Sequence, residues 1–231
     1  YLQDYPWITL IQLNTKDQPK SFGFKVINAF AHGYEIIRDK EFLYVTKLDA
    51  DLTLPQDYFE KVGHAFLLNQ NLGICGGYIC ENEEDYFVKS EREDFVQGAI
   101  KSVRKSCFIE IGGFWPVNGW DGIDQHIARF NGWEVANLDI KIFHHRPETQ
   151  DYRSLYFHYQ NGRSSYLLGN NYFLTCIRFL FKLVERPHVF GAVAFLYGFI
   201  RTSIIEKRMV NKDLALYIRQ YHYQRLIKGK R

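Results

Sequence analysis

The chain has 231 residues, 46% hydrophobic and 24% charged, which provides for one sizeable core plus a helical extension and excludes extended disorder. Its formal charge of +3 is unevenly divided: residues 1–151 carry 15 Lys and Arg against 23 Asp and Glu, whereas residues 152–231 carry 14 against 3. An acidic body that suits a cation is thus joined to a basic tail, which either meets an anionic surface or is a solvated helix face.

In chain order, WITLIQLN (7–14) reads as a short buried strand, and FGFKVINAFAHGYEII (22–37) has apolar residues at helical spacing. FLYVTKLDA (42–50), aromatic and β-branched, reads as a strand ending in the acidic run DAD. A helix is expected over 56–70 and a strand over 72–80, followed by a charged surface loop over 81–94. VQGAIKSVRKSCFIEIGGF (96–114) holds a short strand and a short helix closing on Gly112 and Gly113. A helix over 122–133 and a strand over 134–145 ending on two histidines complete this part. Strands alternating with helices predict an α/β fold, a mostly parallel, Rossmann-like sheet flanked by helices, with ligands beyond the carboxyl ends of the strands. From about residue 152 strand signals vanish, giving a catalytic body over 1–151 and a helical, basic, aromatic-rich extension over 152–231.

Within the extension the longest uncharged run, PHVFGAVAFLYGFI between Arg186 and Arg201, has 14 residues, short of the roughly 20 that span a bilayer. Its aromatics among Lys and Arg suit either a helix lying in the membrane interface or a helical hairpin packed on the core. The four cysteines show no CxxC pairing, which fits a reducing compartment, and the first residues lack the pattern of a secretory signal.

Three features carry chemistry. In LDADLTLP (48–55), Asp49 and Asp51 lie two apart at a strand end and are expected on one side, where they repel unless a cation lies between them or bridges them to a phosphate. Their hard oxygens favour Mg²⁺ or Mn²⁺. In NGWDGIDQHIARFNGW (118–133), Asp121 follows a flexible Gly and Trp120 just before a helix; apolar walls would raise its pKa and suit a general base, and the position also suits an N-cap. Asp124, one turn on, is the weaker rival, with the helix dipole or another chain segment as its alternative partner. In IFHHR (142–146) successive histidines face opposite ways, so at most one joins the site, with His144 favoured over His145 and Arg146 beside them. Gly98 and Ala99 are small enough to let a sugar approach, and Trp115 and Trp120 either wall an acceptor cleft or pack in the core.

Taken in order, FGFKVINAFAHGYE, KLDADLTLPQDYFE, VQGAIKSVRKSCFIEIGGF, GWDGIDQHIARFNGW and HHR resemble the family-two glycosyltransferases of the GT-A fold, over roughly residues 8–146. The resemblance implies Asp51 as direct metal ligand, Asp49 toward the ribose or a metal-bound water, and Asp121 as catalytic base. The residue before that base is Trp120, where the family has an acid. The family's opening strand and its acidic base-binding loop do not precede Tyr1, so the chain is expected to lack the first strand-helix units. The implied activity is inverting transfer of one or a few sugars from a nucleotide-sugar donor, with Mn²⁺ or Mg²⁺, to a glycan or lipid-linked acceptor in bacterial surface-polysaccharide synthesis. Its expected place is the cytoplasmic face of the membrane, on an anionic surface and without nucleic acid. The rival readings are a metal-dependent sugar nucleotidyltransferase and a non-catalytic tether to membrane or nucleic acid.

Overall fold

The computed structural model describes residues 4–13, 22–80, 94–145 and 154–227. The elements are α1 (Phe22–Ile37), β1 (Tyr44–Leu48), β2 (Leu52–Thr53), α2 (Tyr58–Leu68), β3 (Leu72–Cys80), β4 (Ile100–Arg104), α3 (Lys105–Glu110), α4 (Trp120–Phe130) and β5 (Glu134–His144). They are followed by α5 (Leu155–Leu167), α6 (Tyr172–Lys182), α7 (Val189–Ile205) and α8 (Lys212–Ile227). The charged stretch 81–93 and Arg146 lie outside the described residues.

The five strands form one mixed sheet in the order β1-β4-β3-β5-β2. This corrects the expected mostly parallel sheet: β3 and β5 pair in parallel, whereas β1 with β4, β3 with β4, and β2 with β5 are antiparallel. Local alternation of apolar residues sets which side of a strand is buried, and it carries no information on the direction of the neighbouring strand. The expected strand over 7–14 is a second correction. Residues 8–13 form no ladder, and Trp7 and Leu10 are 79% and 73% exposed.

Each face of the sheet is covered. On one side Val45, Ile74 and Val103 pack with Phe108, Trp120, Ile123 and Ile127, and the same cluster takes in Val210, Leu214, Ala215 and Ile218 around α8. On the other, Tyr58, Val62 and Phe66 of α2 cover Leu72, Cys75, Ile79, Ile100, Ile140 and Ile142. Burial of these apolar side chains is the main stabilising term. Arg104 secures α2: its guanidinium donates to the carbonyls of Phe66, Asn69 and Leu72, satisfying acceptors at the end of the helix with a cation where the dipole favours one.

The expected boundary near residue 151 lies outside the described residues. Beyond it, α5 and α7 meet at backbone contact. A Cβ built on Gly162 would lie 1.9 Å from the Phe195 carbonyl oxygen, and one on Gly198 would lie 2.2 Å from that of Tyr159. Arg163 grips Glu206 at 2.8 and 2.9 Å through two nitrogens, tying α5 to the C-cap of α7.

Candidate functional site

The acidic run sits on a turn. β1 stops at Leu48, and residues 49–51 leave the ladder before β2. The turn is pinned at both ends, since the Asp49 N–H donates to the Ala99 carbonyl at 2.9 Å and the His145 N–H to the Asp51 carbonyl at 2.9 Å. The two carboxylates therefore meet different partners. Asp49 Oδ1 accepts from Lys47 Nζ at 2.5 Å, and Asp51 Oδ1 lies 3.4 Å from His144 Nε2. The antiparallel register of β2 on β5 opposes Leu52 to His144 and carries that imidazole to the turn. His145 is turned the other way and contacts Thr53 Oγ1 at 2.5 Å.

Asp121 occupies the first turn of α4, partly exposed, after Gly119 in the left-handed region at φ +84°. A glycine adopts that conformation without the steric cost a side chain would incur. Gly98 fits against the same turn. A Cβ there would lie 2.7 Å from the Trp120 ring and 3.1 Å from Asp121 Cβ. The small residue thus admits the indole on the side where a Cβ would stand. The preceding Val96 is held by Gln125, whose side chain accepts from its N–H at 3.0 Å and donates to its carbonyl at 2.8 Å.

Two lysines that the sequence reading did not single out lie beneath this turn. Lys47 and Lys101 are cross-strand partners on β1 and β4, and their ammonium groups are 5.6 and 5.1 Å from the Trp120 ring. Lys101 donates to the Asp121 carbonyl at 2.8 Å and to Asp124 Oδ2 at 2.7 Å, with both of the paired side chains at 0% exposure. Burial pushes the Asp124 carboxyl up while the Lys101 ammonium pulls it down. Burial likewise lowers the Lys47 pKa, opposed by Asp49 and, at longer range, by Asp121. Asp124 is therefore an internal counter-ion, its partner another chain segment, as the alternative to a base role had it, and its carboxylate is closed to an acceptor. Trp120, 8% exposed and edge-on to Phe114 at 5.2 Å, is core beneath the site and offers no open stacking face.

The sequence matches no protein-family model and no curated protein. Among solved structures, it is similar to the mannosyltransferase PcManGT from Pyrobaculum calidifontis in complex with GDP-Man and Mn²⁺. The identity is 13% and the TM-score 0.45, over 99% of this chain and 66% of that one. Such a likeness assigns no function.

What the arrangement can do follows from its donors. Asp51 and His144 offer one hard oxygen and one imidazole nitrogen, a pair suited to a divalent cation that completes its shell with substrate oxygens and water. Among the described residues no group of three or more His, Cys, Asp and Glu gathers, so a cation here would depend on substrate or water for the rest of its shell. Lys47 and Lys101 were legible only in principle, as lysines inside strands whose neighbours are apolar. Register, which pairs them, is not a local property.

Proposed function

We propose that this chain carries the catalytic part of an inverting, metal-dependent glycosyltransferase that uses a nucleotide-sugar donor. One observation carries the reading: residues 98 and 99 bridge the acidic turn and Asp121. The Ala99 carbonyl receives the Asp49 N–H, while Gly98 packs against Asp121 Cβ. The two acidic features, remote in sequence, are thereby neighbours across a two-residue segment. The order of motifs, which resembles that of the family-two enzymes, supports the same assignment.

Asp121 acts as the base that takes a proton from the acceptor hydroxyl. It is held in place by Lys101 on its own carbonyl and by Gly98 against its Cβ. Asp51 and His144 hold the divalent ion, Mn²⁺ or Mg²⁺, which when bound supplies positive charge to a diphosphate. Asp49 is oriented by Lys47 toward the donor side. A single displacement at the anomeric carbon inverts its configuration. The basic extension places the reaction at an anionic membrane surface, with a glycan or lipid-linked acceptor. In support, α6 and α7 present Phe173, Leu180, Phe190 and Ile204 to the outside, and no helix among the described residues is long and apolar enough to cross a membrane.

The test is nucleoside diphosphate release from a panel of UDP-, GDP- and dTDP-sugars with Mn²⁺ or Mg²⁺ and membrane extract as acceptor. Asp121→Asn is expected to lose roughly 10²–10⁴-fold in turnover with metal-dependent nucleotide binding retained, and Asp51→Ala to lose that binding. Full turnover in Asp121→Asn, or no metal-dependent release from any donor, would rule the reading out.

A further inference from the structure

The second face of α4 borders an open cavity of about 360 Å³ formed with α5, α6, α7 and α8. At about 30 Å³ per water it has room for on the order of ten waters, within the range of small-ligand sites. Gly122 and Ile123 lie on its α4 side, and Arg178 and Lys182 of α6 face His222 of α8 across it. Asn161 and Ser165 of α5 add polar atoms, and Phe195 and Ile218 an apolar floor.

The character of this cavity is set by Arg178. Its surroundings desolvate the guanidinium, lowering its pKa from the ordinary value. Yet among the described residues its one hydrogen bond is to His222 Nε2 at 3.3 Å, and no carboxylate pairs with it. Because Arg only donates, that imidazole nitrogen is the acceptor, leaving most of the five guanidinium N–H donors for another group. Among the described residues the buried cations are answered: Lys101 has Asp124, Lys47 has Asp49, and Arg104 has three main-chain carbonyls. A desolvated charge without an anion is costly, and a planar fork of donors matches the oxygens of phosphate. Lys182, on the same face one turn later, adds a second cation whose nearest acid is Glu185 at 3.4 Å.

We propose that this cavity binds a phosphate or diphosphate group, with Arg178 as its central contact and Lys182 and His222 beside it. Gly122 on its rim directly follows Asp121, so on the transferase reading above, on which this assignment rests, the group belongs to a phosphate-bearing acceptor. Nucleotide phosphates are the other source of the same chemistry.

Calorimetric titration of the full chain, without divalent metal, with inorganic diphosphate, farnesyl diphosphate and UDP tests this. Inorganic diphosphate is expected to bind saturably, roughly tenfold or more weakly in Arg178→Gln and less affected in Lys182→Gln. Tighter binding of farnesyl diphosphate with the same Arg178 dependence assigns a lipid-linked acceptor, and Arg178 dependence confined to UDP assigns the donor. Thermal melts report whether Arg178→Gln folds; if it does not, Lys182→Gln, with its side chain 18% exposed, carries the comparison. No saturable binding of any of the three, or binding indifferent to both substitutions, overturns the proposal. Diphosphate binding that depends on Arg178 in a protein releasing no nucleotide from any donor sugar would keep the site and remove the transferase reading.

Discussion

Lys101 and Asp124 are each uncharged in effect only because of the other. Replacing either alone leaves an ion in the core, and Lys101→Met or Asp124→Leu is expected to cost about 3–5 kcal/mol in denaturant unfolding, with the double replacement recovering most of that. A double-mutant cycle measures the difference, and additive losses would show that the two groups are not coupled. The thiols give a second prediction. Burial pushes Cys75 and Cys107 from the ordinary value of 9.0 up to about 12, while Cys176 is exposed. Below pH 9.0 folded and unfolded chains both keep these two protons; between 9.0 and about 12 only the unfolded chain releases them. Stability present below that window is therefore lost as pH rises through it. Unfolding followed at stepped alkaline pH checks this, with Cys75→Ala and Cys107→Ala expected to flatten the slope. In the native protein at neutral pH, a thiol reagent is expected to modify Cys176 first.

Among the helices, the crossing of α5 and α7 is the most exacting contact, because main chain faces main chain at Gly162 and Gly198. Alanine at either position would drive a methyl into a carbonyl oxygen, and each substitution is expected to destabilise by about 1–3 kcal/mol or more, read as a lowered Tm. The glycine sites are plain in the sequence, but nothing local says that they face each other. That difference runs through the whole molecule. α1, α2, β3 and β5 were legible because the spacing of apolar residues is a property of the segment itself. The run 7–14 looked like a strand for the same reason, and failed because a strand requires a partner for its N–H and C=O groups. The direction of β4, the pairing of Lys47 with Lys101, and the seating of Trp120 over Gly98 all depend on what lies opposite. Asp49, Asp51, Asp121 and His144 stand out as candidates by residue type at element ends, whereas the lysines beneath them are hidden by their own chemistry, which reads as surface.

At the scale of the molecule, the proposed lipid surface would meet the basic extension and its exposed apolar residues, with Val184 at 77% and Ile204 at 78%. Pelleting with phosphatidylserine vesicles is expected to be strong at low salt and to weaken as the Debye length falls to about 3 Å at 1 M. Binding to RNA in preference to vesicles would reverse that assignment. The hydrophobic cluster that runs without a break from β4 through α4 to Leu214 and Ile218 of α8 has a further consequence for how such a chain can change. A tail attached by a linker can be lost or exchanged for another while the body stays as it was. Here the tail supplies part of the wall against which α4, and so Asp121, is seated. Grafting a foreign extension after residue 151 would leave apolar residues of α4 without their mates, so body and extension must diverge together, as one inherited unit.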